Sequence, residues 1–297
     1  MLADGFGFCG FCRYDGGLMV QEQRRQLGGD GMATVGEICG VLREIAPLEL
    51  AESWDNVGLL LGDECQEVSR LMTCLTLTED VAAEAVAEGV GLVVSHHPLF
   101  FRAVKRLTSG DAEGRTVLSL LRAGVAVYSA HTAFDSSAAG INQRLAGILG
   151  LSGICVLRPL AGGEAGSGRI GELAEPADVR EFAVRAGRLL SAGGVQVVFG
   201  GRAVRRVGVA CGAAAEYLRD AAACGCDTLV TGEARFHASL EARSLGINLI
   251  VVGHYASERG GVEDLAQQLG LRLPGVECFA SRRECDPLFW IESGKAE

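Results

Sequence analysis

Short apolar runs that end abruptly in polar residues recur along this chain, and they constrain its fold more than any other feature. Residues 91–94, 125–130, 227–231 and 248–252 are four to six residues long, which suits buried strands rather than helices. Between such runs lie segments of helical spacing. Residues 79–88 combine alanine and valine with acidic side chains and stop at Gly89, while 116–122, 141–149 and 213–223 stop at Gly124, Gly150 and Gly225. Further strands are expected over 71–78 and 206–211, and a further helix over 238–245. Regular alternation of strand and helix predicts an α/β fold with mixed, parallel-rich sheets flanked by helices.

The second half reads as a faded copy of the first. His254 lies 123 residues after His131, and Glu258 lies 123 after Asp135, so a His-x3-Asp and a His-x3-Glu follow matching strands. Thr231 lies 136 after Ser95, which sets Gly232 and Glu233 opposite His96 and His97. Two related α/β lobes that face each other bring their strand tips into one cleft, the usual place for a ligand in open α/β sheets. The expected organisation is an extension over 1–31 without periodic apolar face or signal-peptide character, a first lobe over 32–158, a glycine-rich linker over 159–170 and a second lobe over 171–297. Met32 opens the first organised segment, an amphipathic helix over 34–45.

Composition excludes several classes of function. No apolar run approaches the ~20 residues that cross a bilayer, and a net charge of −10 with a pI near 5.1 disfavours nucleic acid as the natural partner. Eleven scattered cysteines, odd in number, read as reduced thiols of a cytoplasmic protein. Cys9 and Cys12 have metal or redox spacing, but no second such pair completes a four-thiolate site.

The five histidines are His96, His97, His131, His237 and His254, and four of them stand at or just after the end of an expected strand. Neighbours in a strand point to opposite faces, so His96 and His97 can serve one site only where the strand gives out, before Pro98. Asp135, Glu233 and Glu258 fall in the same clusters. Imidazole together with carboxylate suits Zn, Mn or Fe(II), whereas an all-oxygen set would suit Mg or Ca. Two divalent ions roughly 3.5 to 4 Å apart would use such a set and generate hydroxide near neutral pH. A Ser/His/Asp triad is the competing use of these types, but no G-x-S-x-G elbow occurs. There is no phosphate loop, and the glycine-rich segment lacks the strand-to-helix setting of a dinucleotide fingerprint. His131 and His237 suit ligation, proton transfer or support of the ligands, and Glu233 suits the last two. Asp55 and Asn56 make either a turn or a site lining, and Arg102, Lys105 and Arg106 either a solvated face or charge for a phosphate.

Trp54-Asp-Asn-Val-Gly-Leu59, Ser95-His-His-Pro-Leu-Phe-Phe101, Ala130-His-Thr-Ala-Phe-Asp135, Gly168-Arg-Ile-Gly-Glu-Leu173, Thr231-Gly-Glu233 and Gly253-His-Tyr-Ala-Ser-Glu258 together resemble the successive motifs of the NIF-three-like family, whose members are often called GTP cyclohydrolase 1 type 2 homologues. The resemblance runs from about residue 33 onward. It implies a dinuclear metal site in a two-lobed subunit, with His96, His97, Asp135, His254 and Glu258 as ligands and the subunits in a toroidal homohexamer. It further implies that His97 and Asp135 favour one ion, that His96 and His254 favour the other, and that Glu258 bridges. Residues 157–206 are too few for the extra domain some members carry. The expected function is a metal-dependent hydrolase of a small molecule, a nucleotide or related cyclic amide or phosphoester, acting through a metal-bound hydroxide with His131, His237 and Glu233 in the catalytic machinery. A non-enzymatic metal-binding or regulatory interaction protein is the alternative.

Overall fold

A computed structural model of the protein describes residues 32–160 and 165–291. The extension over 1–31, with Cys9 and Cys12, lies outside the described residues. Sequence determines the first helix, α1 (Val35–Ile45), at both ends and along one face. Thr34 and Glu37 form a reciprocal capping box, Val35, Ile38, Cys39, Leu42 and Ile45 are buried on one stripe, and Pro47 follows the C-terminus. It is preceded by β1 (Ala33–Thr34), which pairs with β3 (Glu67–Val68) in a two-stranded antiparallel ladder.

The first main sheet combines β2 (Gly58–Leu61), β4 (Arg70–Cys74), β5 (Leu92–Ser95) and β6 (Ala126–Ser129) with the late strand β13 (Glu277–Ala280), in the order β13-β4-β5-β6-β2. All its pairings are parallel except that of β2 with β6. Every residue of β5 and β6 is buried, as expected of strands covered on both faces. Helices α2 (Glu79–Ala87) and α3 (Ala112–Ala123) cross between these strands. Two short helices, α4 (His131–Ser136) and α5 (Ile141–Ile148), lead out of β6.

The second sheet contains β7 (Ser152–Pro159), β8 (Gly166–Ala177), β9 (Gln196–Val198), β10 (Val204–Ala210), β11 (Thr228–Thr231) and β12 (Asn248–Val251), in the order β7-β8-β10-β11-β12-β9. Its helices are α6 (Val179–Leu189), α7 (Leu218–Ala223), α8 (Phe236–Leu245) and α9 (His254–Arg272). The duplication is visible in the pairing: β4-β5-β6 run parallel beside the antiparallel β2, as β10-β11-β12 run parallel beside the antiparallel β9.

Alternate strand residues feed different cores. Leu71, Val94 and Tyr128 from the first sheet and Val209, Val230 and Ile250 from the second pack into one continuous cluster with Ile38, Phe182 and Leu269. Met72, Val93 and Val127 pack on the other face with Val81 and Leu120, and Leu229 and Leu249 pack with Leu218 and Ala242. Helices α1, α5, α6 and α9 therefore supply the apolar layer shared by both sheets.

Three details differ from the sequence reading. Of the segment 159–170, Pro159 ends β7 and residues 166–170 belong to β8, and the two strands pair in the second sheet. The strand expected over 71–78 stops at Cys74, where the backbone turns toward the site. Helix α6, which sequence reading missed, starts at Asp178, whose carboxylate accepts from the N–H groups of Arg180 and Glu181. All nine cysteines among the described residues are free thiols. Among those residues no helix is long and apolar enough to cross a membrane.

Candidate metal centre

The tips of four parallel strands deliver the polar side chains. His96 and His97 follow β5, and their N–H groups donate to Cys74 O and Leu75 O beyond β4, at 2.9 and 2.8 Å. His131 opens α4 and Asp135 stands one helical turn further, near its end, and His254 and Glu258 have the same spacing at the start of α9. Register between the lobes is offset by one. Ser95 pairs with Ser129 and Thr231 with Val251, so His131 aligns with Gly253 rather than His254. Both turn residues have positive φ, +22° at His131 and +100° at Gly253. The first lobe thus makes its turn with the histidine itself, in a conformation that L side chains rarely adopt and that sites often hold.

Two overlapping groups emerge. One nitrogen each of His96, His97 and His131 lie within 4.8 Å of one another, as do donor atoms of His97, His254 and Glu258. Glu258 Oε2 is 3.0 Å from His254 Nε2 and 3.2 Å from His97 Nε2, and its Oε1 is 3.9 Å from His96 Nε2. Asp135 Oδ1 is 3.6 Å from His96 Nε2. Side-chain proximity sets His97 beside His254, Nε2 to Nε2 at 3.2 Å, and His96 beside Asp135.

Around these atoms the chain builds supports. Asp55, its side chain fully buried, lies 2.7 Å from His131 Nδ1 and accepts from the N–H and hydroxyl of Thr132. Glu233 meets His254 Nδ1 at 3.0 Å, and Thr76 Oγ1 meets His97 Nδ1 at 2.7 Å. Asn142 joins the lobes, donating to Asp135 O and accepting from Cys211 N, while the Cys211 thiol donates to Asp135 Oδ1 at 3.1 Å. Arg169, 2% exposed, donates to the carbonyls of Ser136 and Ser137 and so closes the end of α4 that carries Asp135. His237 stands exposed on α8, its ring against Phe236, apart from the histidine–carboxylate groups. It faces a neighbouring cavity that Glu233 and His254 also line.

Electrostatics is strongly perturbed. Burial pushes His96 down to about 3, so the ring is neutral, as a ligand must be. Burial and then the Glu258 charge push Asp135 up to about 7. Glu258 goes the other way: burial would raise it, but His254, His96 and His97 hold it well below the usual carboxylate range. Glu258 in turn pushes His254 up to about 9 against the effect of burial. Burial likewise opposes the charge on Asp55, yet the bonds from His131 and Thr132 hold it at about 2.

The residues fit a divalent cation on three observations. Both ring nitrogens of His96 are buried without a hydrogen-bond partner, an arrangement that costs about 1–3 kcal/mol per group unless something else binds them. Gly212, with φ +64°, leaves room that a Cβ would fill, since that atom would lie 2.3 Å from Glu258 Oε1. The donor set itself joins borderline imidazole nitrogens to carboxylate oxygens. A cavity of about 410 Å³ opens over the groups and is lined also by Trp54, Phe101, Arg158 and Tyr217. Trp54 and Phe101 are 64% and 58% exposed, and each sets its ring edge-to-face with His131. Asn56 donates to Phe100 O at 2.8 Å and ties their two loops together.

Asp55 was left open between turn and site on sequence, and Thr76, Asn142, Cys211 and Gly212 carried no sequence signal. Each acts through a contact made only when distant segments meet.

A duplicated α/β protein whose strand tips gather histidines and carboxylates able to bind metal is the class that fold and site define. The chain belongs to the Duf34/NIF3 (NGG1p interacting factor 3) family, whose profile matches residues 33–287. A Clostridium perfringens relative called "GTP cyclohydrolase 1 type 2 homolog" is 31% identical over 263 residues, which cover 86% of this chain and 98% of that protein. A Helicobacter pylori protein called "GTP cyclohydrolase 1 type 2" is 33% identical over 77% of this chain and 88% of its own. Among solved structures, a hypothetical protein of Staphylococcus aureus matches with a TM-score of 0.81 and 26% identity, covering 88% of this chain and 100% of that one.

Proposed function

We propose that this protein is a divalent-metal-dependent hydrolase acting on a nucleotide or a related cyclic amide or phosphoester. The observation that carries the reading is the pair of buried, unpartnered ring nitrogens of His96, converging with His97, Asp135, His254 and Glu258 from both lobes. His96, His97, Asp135, His254 and Glu258 would hold two ions of the Zn, Mn or Fe kind. Such ions, when bound, supply Lewis acidity and lower the pKa of water toward neutrality.

The remaining chemistry belongs to the chain. His131 has Nδ1 engaged by Asp55, which leaves Nε2 as the atom that can take a proton from attacking water or give one to a leaving group. Glu233 holds the His254 ring through Nδ1 and so fixes which nitrogen faces Glu258. Trp54 and Phe101 offer aromatic surface to a base over the cavity, and Arg158, stacked 4.1 Å over Tyr217 and paired with Asp220, lines the same cavity. His237 keeps a role in proton supply from the adjoining cavity. The names of the relatives support the nucleotide class. Free thiols agree with a cytoplasmic setting, and the exposed Leu288, Phe289 and Ile291 offer apolar surface for self-association into a toroidal homohexamer.

The test loads the protein with Zn, Mn or Fe(II) and screens it against GTP, other nucleotides and phosphodiesters. Turnover is expected, with a loss of at least about 100-fold in Asp135→Ala and Glu258→Ala while both stay folded. Two bound ions with no turnover on any class would instead assign a metal-binding or regulatory role, and no bound ion after reloading would remove both readings.

A further inference from the structure

Glu284 lies far from the metal-binding groups in sequence and is absent from every motif read above. Its side chain is 5% exposed, and the carboxylate makes three bonds to two different parts of the fold. The N–H groups of Leu75 and Thr76 donate to it at 2.8 and 2.6 Å, and the Arg259 guanidinium donates at 2.5 Å. Its own carbonyl accepts from the Tyr255 hydroxyl at 3.1 Å. Arg259 follows Glu258 on α9 and Tyr255 follows His254, so Glu284 grips the helix that carries the second lobe's two donors. Leu75 and Thr76 form the turn after β4, and Leu75 O receives the N–H of His97. Thr76 Oγ1 meets His97 Nδ1. One buried carboxylate thus spans the first lobe's ligand turn and the second lobe's ligand helix.

We propose that Glu284 is a positioning residue for the metal centre, acting through Thr76 to fix the spacing of His97 relative to His254 and Glu258. His97 Nε2 is the atom beside Glu258 and His254, so a cation bound there would leave Nδ1 to donate to Thr76 Oγ1. Pinned by Glu284, the Thr76 backbone holds Oγ1, and with it the His97 ring, at the distance from α9 that would let both lobes reach one ion. This inference rests on the metal-centre reading above.

Titrations with Zn and with Co(II) test it. Affinity for one ion should fall about 10- to 100-fold in Thr76→Val and Glu284→Ala, and stay within about threefold of native in Thr76→Ser. If Glu284→Ala does not fold, Glu284→Gln, which keeps one acceptor oxygen, replaces it, with a smaller loss in the same direction. Native affinity in Thr76→Val and in the Glu284 variant, even with a lowered melting temperature, would make Glu284 a structural anchor only and overturn the proposal. Two ions bound by the native protein without turnover would overturn the hydrolase reading and leave this one standing, whereas no bound ion would overturn both.

Discussion

Gly212 shows how little room single residues around the site have. It follows β10 with φ +64°, and a Cβ there would lie 2.3 Å from Glu258 Oε1 and 3.6 Å from His254 Cε1. Gly212→Ala therefore combines a left-handed backbone cost of about 1–3 kcal/mol with displacement of the Glu258 carboxylate. Metal content measured by mass spectrometry is expected to fall well below native while the melting temperature drops only modestly, and native metal content would refute the placement of Glu258. Nothing in the sequence marks this glycine, one of 42. The histidines were legible for the opposite reason: they are few, and they recur at matched strand ends. Asp55 fell between, because an Asp-Asn pair reads the same whether it only makes a turn or also holds a histidine. The fold decides by bringing residue 55 against 131 and 132.

At the level of elements, α2 carries an acid at a position that its pattern would leave apolar. Glu84 is 5% exposed and accepts from Ser281 Oγ at 2.5 Å and from the N–H groups of Arg282 and Arg283 at 2.8 and 3.2 Å. Burial would raise its pKa, but these three donors hold it below the ordinary glutamate value. A depressed carboxyl stabilises the fold at pH above its unfolded pKa, and that contribution is lost as pH falls through the folded one. Glu84→Gln should therefore cost about 1–3 kcal/mol at pH 7. In urea unfolding the gap to native protein should narrow below about pH 4.5, and a gap that stays constant from pH 7 to pH 3 would show that the ionised form is not what counts. Helices with capping residues and glycine stops, such as α1, α2 and α3, were readable to within a few residues. The β7–β8 hairpin was not, because its glycines resemble those of a linker, and only pairing with β10 shows that they are strand.

Across the whole chain the duplication was legible as arithmetic and became physical as two sheets with the same arrangement of parallel strands. Sequence could not show that α1, α5, α6 and α9 fill one layer between both sheets, since an apolar stripe does not name the surface it meets. Nor could it show where β13 belongs. That strand pairs in parallel with β4, at the edge of a sheet whose other strands are all in place once β6 has paired with β2. Order of synthesis then matters. While the ribosome is still adding residues before 277, β4 carries an unpaired edge, and such edges recruit other chains. A variant stopped after Val276 is expected to bind a hydrophobic dye and sediment as large species, and a monodisperse truncated product would show that the edge is covered without β13. A chain cut short in translation before residue 277 therefore advertises its own incompleteness as an open strand edge.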